Sequence, residues 1–337
     1  MTDEKRVTMK LSRLLLTAII STLFVSCGSG WKGNYDDALK TAQRKNKDVF
    51  LVFTGDDWTD DSLPFKENIL NRKEFTSKYS RDYVFCNIDF SQEEFARSKV
   101  DDDASSSEKK AAEKIAEVYK RKEVLGRFYN VKSWPSVYIC SYEGYVLATV
   151  PFSAEKDTTC TVEEYCSKLE EYRGSAEVVK GLVKAVRGSA GTEKAEAIDA
   201  LVKGSSSTYS DLFMNLIYEF PSLDPENTTG RLGFYELAGA YYLSYDATTK
   251  NEDPAKPFLD VIETGHLVPD QVQEAYYMAA YSLINGEKFD SALVTEYLEK
   301  AYTTNPAGPN AMKILQNLQQ MKRFAELEKV QAESDGE

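Results

Sequence analysis

The stretch Asp48-Val49-Phe50-Leu51-Val52-Phe53-Thr54-Gly55 is apolar at five consecutive positions and closes on a glycine. A run this short and unbroken leaves neither face of a strand for water, so it reads as a buried strand of a parallel or mixed sheet. Further strand patterns follow at Tyr83–Phe90, Ser136–Ile139 and Gly144–Val150, the last two joined through a turn at Glu143-Gly144. A helical stretch runs from Ser62 to about Tyr79, and another from Ala111 to Tyr119. The polar segment 99–110 between them reads as a solvated, mobile loop.

From about Gly174 the period becomes helical and no strand pattern returns. Gly188-Ser189-Ala190-Gly191 and Gly204-Ser205-Ser206-Ser207 punctuate it as turns. At 337 residues and 42% hydrophobic content, the chain has material for two cores. The expectation is an α/β domain over residues 28–173 and an all-α helical-hairpin domain over 174–337. A net charge of -13 argues against nucleic acid as a partner, because phosphate binding needs a basic footprint.

Met9-Lys10-Leu11-Ser12-Arg13 is a basic start, Leu14 to Val25 is apolar, and small residues bracket Cys27. This pattern reads as a signal peptide over residues 1–27, with Met1 or Met9 as the start and an apolar stretch too short for a membrane span. The run into Cys27 resembles a bacterial lipobox, although Phe24 stands where leucine is usual. The resemblance implies acylation of Cys27, a membrane tether and an exported cell-envelope protein. An ordinary cleavable signal with an incidental cysteine is the alternative.

The order of strand, Gly55, Trp58, helix, second strand, and then Tyr129-Asn130-Val131-Lys132-Ser133-Trp134-Pro135 before the next strand resembles the thioredoxin-like family, over roughly residues 31–173. Ile69-Leu70-Asn71-Arg72-Lys73-Glu74-Phe75 is similar to a phrase of its exported members. Thr59 and Ser62 stand at the positions of the family's two redox cysteines. A hydroxyl forms no disulfide and does not ionise near neutral pH, so the resemblance comes with its usual chemistry removed. Phe53 falls where the family keeps a buried acid, so the proton relay is missing too. What the resemblance retains is a recognition surface: Trp58, Trp134 and Pro135, the last in cis, beside which relatives hold an extended peptide. Packing of the domain is the other role open to these aromatics.

Beyond Cys27 the chain has Cys86, Cys140, Cys160 and Cys166. In the family's strand order, Cys86 and Cys140 lie on opposite sides of the first strand, too far apart to bridge. Cys160 and Cys166 can pair only if Cys160 lies outside the helix that begins near Thr161. His266 is the sole histidine and sits at a helix end before a turn, where it reads as a surface or capping residue. Asp56, Asp57, Asp60 and Asp61 lack the glycine and downstream glutamate of a calcium loop and read as helix-capping residues. No cofactor motif or zinc spacing is present, and no metal site or catalytic residue is expected.

Ala275–Tyr281, Gly286–Ala292, Leu298–Ala301 and Asn305-Pro306 together resemble a tetratricopeptide helix pair, with no clean second copy. Such hairpins bind proteins or peptides; a plain helical bundle is the alternative. The reading that joins these observations is a redox-inactive, lipid-anchored module that binds a protein or extended peptide. A thiol enzyme using Cys86, Cys140, Cys160 or Cys166, and a structural envelope component, are its rivals.

Overall fold

The computed structural model describes residues 30–101, 103–284 and 289–334. The signal-peptide reading of 1–27 and the acylation reading of Cys27 lie outside the described residues. Four strands, β1 (Asp48–Thr54), β2 (Tyr83–Asp89), β3 (Ser136–Cys140) and β4 (Val146–Val150), form one sheet in the order β2-β1-β3-β4. β1 runs parallel to β2 and antiparallel to β3, and β4 is antiparallel to β3. The central place of β1 explains its composition. Phe50 and Val52 enter the core on one face, while Val49, Leu51 and Phe53 enter the core on the other, all at 0% exposure.

In chain order the helices of this half are α1 (Tyr35–Lys45), α2 (Ser62–Phe65), α3 (Lys73–Tyr79), α4 (Gln92–Arg97), α5 (Ser106–Phe128), α6 (Ala154–Asp157) and α7 (Val162–Gly188). The helix expected from Ser62 to Tyr79 is broken. A π turn over Lys66–Leu70 follows α2, and Asn71-Arg72 separates it from α3. The wider turn lets Phe65, Ile69, Leu70 and Phe75 all reach the sheet at 0% exposure, more than one regular helical stripe would bury. The polar segment 99–110 turns helical from Ser106. There the Ser105 hydroxyl accepts the Glu108 N–H while the Glu108 carboxylate accepts the Ser105 N–H, and this capping box starts α5.

The boundary expected between residues 173 and 174 falls inside α7, which runs unbroken through it. Beyond it come α8 (Gly191–Gly204), a 3-10 turn over Ser207–Phe213, α9 (Met214–Leu223), α10 (Leu232–Thr249), α11 (Lys256–Glu263), α12 (Pro269–Ile284), α13 (Ser291–Thr304) and α14 (Ala311–Ser334). One core joins the sheet to this region: Phe50, Val137 and Val150 belong with Val183, Leu201, Phe213, Phe220 and Tyr235. A second core, with Leu237, Phe258, Ala279, Leu298 and Ile314, unites α10 to α14. Among the described residues, no helix is long and apolar enough to cross a membrane.

Candidate functional site

The site lies at the C-terminal end of β1, where the chain turns into α2. A Cβ on Gly55 would meet the Trp58 indole nitrogen at 2.5 Å, so only glycine lets that ring fold back over the strand end. The Trp58 Nε1–H donates to the Phe90 carbonyl at 2.6 Å and fixes the ring. The Thr59 hydroxyl donates to the Gly55 carbonyl at 2.9 Å, and the buried Ser62 Oγ accepts the Gly55 N–H at 3.1 Å. The two hydroxyl oxygens lie 2.5 Å apart. Thr59 and Ser62 thus close the turn with polar groups directed inward, and neither offers a thiolate.

Trp134 meets Trp58 with ring centroids 5.1 Å apart and Phe90 at 5.7 Å. The Trp134-Pro135 bond is cis. The three residues expected to form a recognition surface are therefore together, but unequally placed. Trp58 is 40% exposed and Trp134 partly so, whereas Pro135 is buried. Beside Trp134 opens a cavity of 410 Å³ lined by Phe90, Glu123, Gly126, Arg127, Val131 and Trp134. The Trp134 Nε1 is buried and has no hydrogen-bond partner among the described residues. Sequence reasoning missed the α5 wall of this cavity. The one available signal was Gly126, a small residue inside a helix, where a Cβ would press on Phe90 at 3.2 Å.

The aspartates near the turn do not cap their own helix as expected. Asp61 occupies the N-cap position of α2 without a side-chain bond to it. Asp57 instead reaches across to the start of α4, accepting the Gln92 and Glu93 N–H groups at 2.9 Å and the Ser91 hydroxyl at 2.7 Å. Burial opposes ionisation of Asp57, yet these hydrogen bonds outweigh it and hold the carboxyl below its ordinary value. Asp56 pairs with Lys66, and its N–H donates to Asp89 at 2.9 Å. Burial leads in pushing the Asp89 carboxyl up. No group of side chains able to hold a metal occurs among the described residues.

All four described cysteines are free. Cys86 stands opposite Leu51 and Cys140 opposite Val49, on strands separated by β1. Burial pushes the Cys86 thiol well above its ordinary value and the Cys140 thiol up to about 12. The Cys160–Cys166 bridge considered from sequence is not formed. Cys160 does lie outside α7, as pairing requires, but its thiol rests on the Asp157 carbonyl at 3.8 Å while Cys166 is buried in the core. Burial, then Asp157 and Glu164, raise the Cys160 pKa as well. His266 lies 3.0 Å from the Glu236 carboxylate, in the turn between α11 and α12.

Residues 35–156 match the family model of the thioredoxin-like domain, and residues 233–327 match that of a C-terminal domain of uncharacterised proteins. Among solved structures, a chain titled DsbH oxidoreductase is similar at 18% identity over 48% of this chain and 96% of that one, with a TM-score of 0.31. No curated protein matches. A thioredoxin-like domain thus occupies residues 35–156, and a helical C-terminal region follows it.

Proposed function

We propose that this chain is an exported, lipid-anchored cell-envelope protein whose thioredoxin-like domain binds an extended peptide or protein segment and carries out no disulfide exchange. The observation that carries the reading is the division of labour at the end of β1. Thr59 and Ser62 spend their hydroxyls on the turn, while Trp58 and Trp134 stand together at an open cavity. Aromatic surface of this kind gives large contact area at small entropic cost. Arg127 and Glu123 at the cavity wall supply polar groups to a bound backbone.

The rival thiol enzyme needs an accessible thiolate, and Cys86, Cys140 and Cys160 each have their thiol form favoured. The distinguishing experiment screens immobilised extended peptides against the protein and its Trp58→Ala and Trp134→Ala variants. Each substitution is expected to weaken capture by about 2 kcal/mol or more, as for a buried aromatic anchor, with a smaller loss of stability. Equal losses of binding and stability would reduce the two indoles to packing residues. In parallel, the wild-type protein is expected to reduce a disulfide substrate no faster than a thiol-free control, and robust turnover would reinstate the enzyme.

A further inference from the structure

The end of the sheet opposite the Trp58–Trp134 site gathers cations in a chain whose net charge is -13. Three segments meet there: the α1–β1 turn, the α3–β2 turn and α7. The Lys47 ammonium donates to the Ser80 carbonyl, and the Asp48 N–H donates to the Asp82 carbonyl at 3.1 Å. From α7, Arg173 pairs with Asp82 at 3.0 Å and Lys180 with Asp48 at 2.6 Å. Arg173 and Lys180 also take up Glu170 and Glu177, while Glu171 of the same stretch of α7 is exposed and forms no ion pair among the described residues. Arg44, Lys45, Lys47, Lys78 and Arg81 form no ion pair among the described residues, and all but the half-buried Lys47 are exposed.

The N-terminal segment leads to the same end. Lys32 bridges Cys86 in parallel with β2, its N–H bonded to the Phe85 carbonyl and its carbonyl to the Asn87 N–H. Trp31 packs on Phe85 and Phe50. Because β2 begins next to Arg81 and Asp82, the chain traced backwards from Lys32 through Trp31 heads toward that basic end. Cys27 lies five positions before Lys32, a reach of at most about 18 Å.

We propose that this basic end seats the protein on an anionic lipid bilayer. The inference rests on reading Cys27 as the anchor. The short tether holds the Arg44, Lys47 and Arg81 surface within reach of the headgroups, and clustered lysine and arginine beside an anchor add electrostatic attraction to acidic lipid. The acidic remainder of the surface is repelled, which sets the orientation. β1, about 23 Å long for its seven residues, then carries the Trp58–Trp134 site to the side away from the membrane.

The test uses the full chain with Cys27→Ala, so that no acyl chain masks the electrostatic term. Sedimentation with vesicles of phosphatidylglycerol mixed with phosphatidylcholine is expected to carry the protein down at low salt and release it at high salt. Vesicles of phosphatidylcholine alone should leave it in solution. Adding Arg44→Gln, Lys45→Gln, Lys47→Gln and Arg81→Gln together should lower binding to anionic vesicles at least ~10-fold, with an unchanged circular dichroism spectrum. Equal binding to both vesicle types, salt-insensitive binding, or undiminished binding by the folded variant would overturn the proposal. The mass of the native N-terminal fragment reports separately whether Cys27 is acylated. Peptide capture without lipid reports separately on the Trp58–Trp134 site.

Discussion

At the scale of single residues, Thr59 and Ser62 make the turn after β1 a structural clasp. Ser62 has no solvent contact, and its Oγ is the acceptor that satisfies the Gly55 N–H. Ser62→Ala leaves that N–H buried without a partner and should cost about 1–3 kcal/mol in urea unfolding; a neutral result would mean that the clasp contributes nothing. Thr59 and Ser62 were legible because the order of strand, glycine, tryptophan and helix places them without any knowledge of contacts. The role of Asp57 was not legible, because the helix it caps begins 35 residues later. Asp224 acts locally instead, accepting from the Thr228 N–H at 2.7 Å and from the Thr229 N–H and hydroxyl at 3.0 and 2.6 Å. Burial opposes its ionisation, but these bonds prevail and depress its pKa. Its contribution is therefore full above the ordinary carboxylate value of about 3.9 and fades as pH falls through the lower native value. Asp224→Asn should lower the melting temperature at neutral pH, and the gap from wild type should close in strong acid. A gap constant with pH would rule out the ionised carboxylate as its source.

At the scale of elements, sequence reasoning located what one segment decides alone and missed what two segments decide together. β1 announced itself because both of its faces are buried, and the helix ends at Gly188 and Gly204 coincide with the glycine-marked turns. The break at Lys66–Leu70 was hidden because it arises from fitting Phe65, Ile69, Leu70 and Phe75 onto one sheet face, a demand of the partner. α7 shows what a local signal can still secure. Thr161 and Glu164 form a capping box, with the Thr161 Oγ1 accepting the Glu164 N–H at 3.2 Å and the Glu164 carboxylate accepting the Thr161 N–H at 2.7 Å. That helix carries Tyr165, Leu169 and Val183 into the shared core, so fraying at its start is transmitted to packing. Thr161→Ala should destabilise by about 1 kcal/mol, with the slope of the urea transition unchanged. No shift in the midpoint would show that packing alone fixes the start of α7.

At the scale of the whole molecule, the two kinds of architecture share a core that extends across residue 173. Tyr145 from the β3–β4 hairpin rests on Phe213 at 5.0 Å, and Phe220 stacks on Tyr235 at 3.8 Å, all within the core that begins at Phe50. α10 belongs to both cores, giving Tyr235 to the first and Leu237 and Ala240 to the second. A chain cut at 173 loses Val183, Val186, Leu201, Phe213, Leu216 and Phe220 from around the sheet. Each such side chain stabilises by roughly 1.5–3 kcal/mol when fully buried. Together they match the roughly 5–15 kcal/mol that holds a typical domain folded. A fragment of residues 28–173 should therefore show poorly dispersed amide resonances and no cooperative melt. A fragment of residues 28–249, which keeps α10 and all of the first core, should fold cooperatively. A sharp transition in the shorter fragment would mean that the sheet and its own helices suffice, and that the residues from α8 to α10 only cover a finished domain.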